Sequence, residues 1–172
     1  MSIPVPVAND PVIASWASDI ANRLNQMIPL VATAGQTTSS TSWSDIAGLT
    51  FPVEAGKSYI IRAWGLYTVT ATGNGFVVGY KRPGGSSGTV SSYLRAYGNG
   101  GATTALIERV SSADDGGTGI ATIDGTASRQ WDIDVLHVAD VTGTFALRWK
   151  RPGATNSNIT MVVAGGFVIN TM

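Results

Sequence analysis

The sequence predicts a mainly β protein: a jelly-roll-like antiparallel β-sandwich preceded by an extended arm and one N-terminal α-helix. Three observations predict it. The chain is split, with one amphipathic stretch over residues 10–28 and short runs joined by Gly, Ser and Asn after Gly35. Those runs alternate apolar and polar residues at 8–15-residue spacing, as the strands of a sandwich or jelly roll do. The composition is 44% apolar over 172 residues, enough for a real core and the right length for one domain plus an appendage. The expected division is an arm and helix over residues 1–35, for oligomerisation or anchoring, and a β-sandwich over residues 36–172.

Residues 1–9 alternate Pro with small apolar residues, which predicts an extended arm, because Pro fixes its own φ and biases its predecessor away from helix. Asp10 then caps free N–H groups and Pro11 suits a first helical turn. The helix carries the stripe Ile13, Ala17, Ile20, Leu24 and Met27, spaced 4, 3, 4, 3, with Trp16 just beside it. Pro29 is expected to stop it. A helix of three heptads at most is not stable alone. It packs either on its own β-domain or on other copies and partner proteins, and the stripe favours the second.

Strands are predicted over residues 59–69, 76–81, 91–97, 103–110, 119–123, 129–138, 144–150 and 158–170. Along the first, Tyr59, Ile61, Ala63, Tyr67 and Val69 share one face, and Ile60, Arg62, Trp64 and Leu66 the other. Both faces are apolar, as in a strand covered on both sides. Asn74-Gly75 predicts a hairpin turn from this strand into the next. Phe145, Leu147 and Trp149 point inward, with Arg148 and Lys150 outward. Tyr80-Lys81-Arg82-Pro83-Gly84 recurs as Trp149-Lys150-Arg151-Pro152-Gly153. The plain reading is two strand-end turns. The functional one is two basic tips, Lys81 with Arg82 and Lys150 with Arg151, meeting an acidic partner at one end of the sandwich.

Charged residues make up only 13%, with 11 basic and 11 acidic. That balance lacks the electrostatic footprint of nucleic-acid or anionic-membrane binding, so neither partner is expected. It invites self-association instead. Without cysteine there is no disulfide and no Cys-ligated metal. Met1 to Pro6 lack the basic start and apolar run of a secretory signal, and no apolar stretch reaches membrane-span length.

Candidate chemistry is thin. Gly84-Gly85-Ser86-Ser87-Gly88 matches a nucleophile elbow in letters, but a strand follows where a helix is needed. Gly56-Lys57-Ser58 lacks the upstream Gly of a phosphate loop, since Phe51 stands there. His137, the only histidine, shares a strand face with Trp131, Ile133 and Val135 and reads as a core residue. Asp132 and Asp134 lie on the opposite face, where glycoside chemistry or calcium binding is the functional reading and simple solvation the plain one. Asp114-Asp115-Gly116-Gly117 reads as a solvated turn, and Asn158-Ile159-Thr160 as a glycosylation pattern without a secretory signal. No catalytic residue, metal or cofactor is expected.

One resemblance extends this reading. Ser42-Trp43, Leu49-Thr50-Phe51-Pro52-Val53 and Ala55-Gly56-Lys57-Ser58-Tyr59 resemble the opening of β-sandwich minor structural proteins of tailed-phage virions. Ala63-Trp64-Gly65-Leu66-Tyr67-Thr68 and Ala71-Thr72-Gly73 look like the strand and turn that follow there. Gly143-Thr144-Phe145-Ala146-Leu147-Arg148-Trp149, Asn156-Ser157-Asn158 and Ala164-Gly165-Gly166-Phe167-Val168 are similar to the closing strands. The likeness spans residues 36–170 and is weakest over 84–128; the stretch from Ala8 to Trp16 also looks like short phage appendage proteins. It implies a jelly-roll domain, often trimeric, on a virion head or tail, with no catalytic residues. The expectation is a virion structural protein made in the host cytoplasm: a homotrimeric capsid decoration or head fibre whose N-terminal region docks on major capsid or tail proteins. The alternative is a fibre-tip module recognising host-surface glycan. The paired Lys-Arg-Pro-Gly turns depart from the pattern.

Overall fold

A computed structural model of the chain describes residues 26–33, 35–70, 74–84, 86–97, 103–106, 118–123, 128–151 and 158–171, with Ser15, Ala17 and Ile20 besides. Eleven strands run in order: β1 (Met27–Val31), β2 (Gln36–Thr38), β3 (Ser44–Val53), β4 (Ser58–Val69), β5 (Asn74–Lys81), β6 (Val90–Tyr97), β7 (Thr103–Leu106), β8 (Thr118–Ile123), β9 (Arg129–Val138), β10 (Gly143–Lys150) and β11 (Ile159–Thr171). They form two antiparallel sheets. The larger has seven strands, ordered β1-β11-β4-β9-β6-β7 with β2 also on β11; the smaller is β3-β10-β5-β8.

The order follows from nested pairs. β1 pairs with β11, β3 with β10, β4 with β9 and β5 with β8, so the chain folds back on itself as one long hairpin. Successive pairs fall alternately in the larger and smaller sheets. The roll then sets β11 beside β4 and β10 beside β5. β6 and β7 extend the larger sheet beyond β9.

The inward faces of both sheets make one core. Tyr59, Ile61, Ala63, Tyr67 and Val69 of β4 are buried, as the alternation predicts. Phe145 stacks on Phe51 at 5.3 Å and on Tyr80 at 5.7 Å, and its ring lies 5.0 Å from that of His137 in the opposite sheet. β3 is irregular between Asp45 and Thr50, where Gly48 has φ +87°. A Cβ there would stand 2.0 Å from the Val31 carbonyl oxygen, so only glycine lets β3 pass this close to β1. The Gln36 side chain holds the irregularity, accepting from Ala47 N at 2.8 Å and donating to its carbonyl at 3.0 Å.

Three expectations are corrected. Met27 is not the last turn of a helix but the first residue of β1, paired with Ile169. Ile28 precedes a proline and so favours extended backbone, and Pro29 is tolerated because β1 is an edge strand. Asn74-Gly75 does not close a hairpin between β4 and β5: Asn74 begins β5, and β4 is already flanked by β11 and β9, which leaves β5 no edge to join. The β-structure also starts at Met27, before the boundary at residue 36 that the patterning predicts, because β1 to β3 are short or interrupted by glycine. Of the predicted helix, Ser15, Ala17 and Ile20 have helical backbone and are exposed; no continuous helix falls among the described residues.

Candidate functional site

The two outward faces of the sandwich differ in kind. On the smaller sheet the outward positions of β3 and β10 include Asp45, Thr50, Thr144, Arg148 and Lys150. Arg148 Nε lies 2.8 Å from Asp45, and Lys150 sits 4.6 Å over the Trp43 ring. Ala146 and Val77, at outward positions beside these, are buried, so this face is polar over β3 and partly covered over β10 and β5.

The larger sheet is different. Alternation on β4 sends Ile60, Arg62, Trp64 and Leu66 outward, and the register lines them up with neighbours on both sides. One row across the sheet reads Met27, Ile169, Ile60, Leu136; the next reads Pro29, Phe167, Arg62, Asp134; the next Val31, Gly165, Trp64, Asp132. Trp64 is 44% exposed, Leu136 46% and Val163 51%. Trp64 and Phe167 meet edge to face at 6.1 Å. In the middle Arg62 grips Asp134 through two bonds, at 2.5 and 3.2 Å. An exposed pair of this kind adds little stability, about 0–1 kcal/mol, but it cancels the charge of both groups. Beside it lies a cleft of about 410 Å³ among β4, β9 and β6, lined by Ile60, Arg62, Tyr93, Asp134 and Leu136. An apolar patch gathered on one face, rimmed by polar groups, is a candidate interaction surface.

The sequence-predicted residues fall in several places. Ala17 and Ile20 are exposed; Ile13, Trp16 and Leu24 lie outside the described residues. Met27 joins the outward apolar face. The two Lys-Arg-Pro-Gly turns are not brought together. β5 and β10 are antiparallel, Lys81 standing opposite Ala146 and Lys150 opposite Val77, so the turns leave opposite ends of the pair. Arg82 is buried and donates to the Gly88 carbonyl at 2.7 Å, Lys150 and Arg151 are half-buried, and Lys81 is exposed. They do not make two basic tips at one end.

The Gly-Ser loop has a structural explanation. Asp140 accepts from the Ser86 hydroxyl at 2.6 Å, the Ser87 amide at 2.7 Å and the Ser87 hydroxyl at 2.9 Å. Those donors hold its carboxyl well below the usual carboxylate range. Ser86 therefore serves a carboxylate that pins the loop, with no histidine alongside. His137 is fully buried between Tyr59 and Val90 in the sheet register. Asp132 and Asp134 are outward as expected, Asp134 being taken up by Arg62. Asp114 and Asp115 lie outside the described residues. Among the described residues no group of three acidic or histidine side chains converges as a metal site.

The sequence contained the signal for the outward face, in the apolar character of both sides of β4. It could not show which neighbours extend the patch, since that depends on pairing with β11 and β9.

No protein-family model matches the chain, and no curated protein does. Among solved structures it is similar to "Family 16 Carbohydrate Binding Module-2", at 14% identity and TM-score 0.29, over 75% of this chain and 73% of that one. It is also similar to structures of infectious bursal disease virus. The Gx strain matches at 15% identity and TM-score 0.22, the Gt strain at 10% and 0.18, each over 84% of this chain and 40% of the viral one. All three TM-scores fall below 0.5, so nothing about function is carried from those proteins to this chain.

Proposed function

We propose that this chain is a structural protein of a phage virion: a homotrimeric capsid decoration or head-surface appendage, anchored by its N-terminal region to major capsid or tail proteins. The carrying observation is the apolar outward face of the larger sheet, on a chain with no net charge to keep copies apart. The nested pairing of strands supports reading the sandwich as a jelly roll, an architecture used by viral capsid and lectin domains. The exposed stripe residues Ala17 and Ile20 support an N-terminal segment that seeks a partner outside its own sandwich. Three weak contacts acting together would hold such a trimer on a particle at high effective concentration. In this reading the protein is not an enzyme.

A second reading, recognition of host-surface glycan, is favoured by one feature. Trp64 presents an indole beside Asp132 and the Arg62–Asp134 pair, an aromatic surface with polar groups at its edge, which suits a sugar ring. Purified virions labelled with gold-tagged antibody against this chain separate the readings. Label over the head supports the decoration role, label confined to a tail tip supports glycan recognition, and virions without label overturn both.

A further inference from the structure

We propose that the cleft among β4, β9 and β6 is a binding site for a neutral oligosaccharide, with one sugar ring seated in the cleft and the next on Trp64. The inference rests on the glycan reading of this face. It adds the seat, the groups that hold the sugar and the exclusion of charged ligands.

The cleft has the size of a ligand site, not of a protein interface. Its volume is about 410 Å³, inside the usual span of about 300–1,000 Å³ for small-molecule sites. The outward plane around it, four strands from β1 to β9 over the six steps from Ile60 to Leu66, measures about 300 Å². A stable protein interface takes about 800 Å² from each partner. A peptide cannot add here as a strand either, because β4 and β9, which floor the cleft, are already paired along both edges. An occupant is therefore held by side chains.

Those side chains define its chemistry. Ile60 and Leu136, 41% and 46% exposed, and the half-buried Tyr93 make apolar walls. Between them Arg62 and Asp134 cancel each other's charge, so the pair selects no ion. Hydrogen-bonding capacity remains. A carboxylate has about four acceptor sites, and Arg62 fills two of those on Asp134. The Ser91 hydroxyl, opposite Leu136 in the register with β6, can donate and accept. Among the described residues no other group bonds the Asp134 carboxylate, and none bonds the Ser91 hydroxyl. The fitting ligand presents a C–H surface to the walls and hydroxyl donors to Asp134 and Ser91, and it carries no charge. A pyranose ring has that pattern. An alkyl chain would leave Asp134 and Ser91 desolvated without partners, and an anion would face the carboxylate.

Trp64 continues the site two residues beyond Arg62 on β4, about 7 Å away. It is braced edge to face by Phe167 and has Asp132 opposite it on β9. On the other side stands Gly165 of β11, where a Cβ would meet nothing within 4 Å except the Leu30 carbonyl oxygen, so this flank of the indole is open. The indole gives a second ring a surface on which to stack.

The test titrates the full-length chain by calorimetry with neutral gluco-, galacto- and manno-hexaoses, and with hexagalacturonate as the charged comparison. The expected result is saturable binding of a neutral hexaose, with the dissociation constant for hexagalacturonate higher by about tenfold or more. Ser91→Val, which removes the open hydroxyl, should weaken that binding about tenfold. Leu136→Arg, which fills the cleft from an exposed position, should weaken it about a hundredfold with an unchanged far-UV spectrum. Trp64→Ala should cost about tenfold through the lost stack. Thr50→Ala, on the outward face of the smaller sheet, should change nothing. No saturable binding by any neutral hexaose overturns the inference, as does tighter binding of hexagalacturonate. Binding that survives Ser91→Val and Leu136→Arg but is lost in Trp64→Ala overturns this site and leaves the glycan reading standing. Cleft-dependent binding by a protein that does not adhere to host cells refutes host-surface recognition alone.

Discussion

Replacing Phe145 by alanine tests the junction on which the sandwich depends. The ring is fully buried, stacked on Phe51 of β3 and Tyr80 of β5 within its own sheet, and 5.0 Å from His137 of the larger sheet. Phe→Ala in a core costs about 3–5 kcal/mol through lost transfer energy and the cavity left behind. Two ring stacks and a rigid sheet on either side leave little room for collapse, which places this site in the upper half, about 4–5 kcal/mol. A domain's whole stability is about 5–15 kcal/mol. At roughly 2–4 °C per kcal/mol for a chain of this size, the melting temperature should fall by about 8–20 °C. Urea unfolding at fixed protein concentration should show a lower midpoint with the same slope. Phe145→Leu, which keeps most of the volume, should lose far less. A loss below about 1.5 kcal/mol for Phe145→Ala with an unchanged slope would refute the packing argument, because only a loosely held ring is that cheap to remove.

Three further outcomes are expected. Gly65→Ala would set a Cβ 2.4 Å from the Val163 carbonyl oxygen and 2.8 Å from Trp131 Nε1, so overpacking should cost about 1–3 kcal/mol in a thermal melt. Asp140 is held below its ordinary range chiefly by the Ser86 hydroxyl, then by the Ser87 amide, so its folded value lies below its unfolded one. Its contribution is therefore complete above the unfolded carboxylate value of about 3.9 and is lost as pH falls through the folded value. The stability gap between wild type and Asp140→Asn should be flat from about pH 5 to pH 8 and close below about pH 4. In the proposed assembly through the N-terminal stripe, Ile20→Asp or Leu24→Asp should dissociate the oligomer, because each copy would then bury an unpaired charge; an unchanged mass by light scattering would remove the stripe from the interface.

Long alternating strands were legible in the sequence, and their neighbours were not. β9 runs over Arg129–Val138 as its alternation predicts, and β4 and β10 differ from expectation by one residue at the start. These segments carry enough period-2 signal to stand without context. β1 was hidden because Met27 continues a heptad stripe, and only the extended bias of the residue before Pro29 argues against the helix there. β2 is three residues long and β3 is broken near Gly48, so neither carries a clean period. The Asn74-Gly75 hairpin failed for a different reason. Turn chemistry is local, while pairing is decided by which edges remain free, and β11 with β9 had taken both edges of β4. The Lys-Arg-Pro-Gly echo failed similarly: identical strand ends on antiparallel neighbours must point opposite ways.

The most informative mismatch lies on β4. Its composition is that of a strand covered on both sides, and a single chain covers one. A hydrophobic pattern records the environment of the assembled state, not of the isolated chain, because exposed apolar rows invite aggregation unless a partner removes them from water. The smaller sheet places Asp45, Arg148 and Lys150 outward, where they pair or pack, with Ala146 and Val77 buried beside them. On the larger sheet the same fold places Ile60, Trp64 and Leu136 outward, around Asp132 and the Arg62–Asp134 ion pair. The exposed large apolar side chains therefore gather on the larger sheet. In the proposed virion role, the apolar face of the larger sheet is the surface a partner would cover.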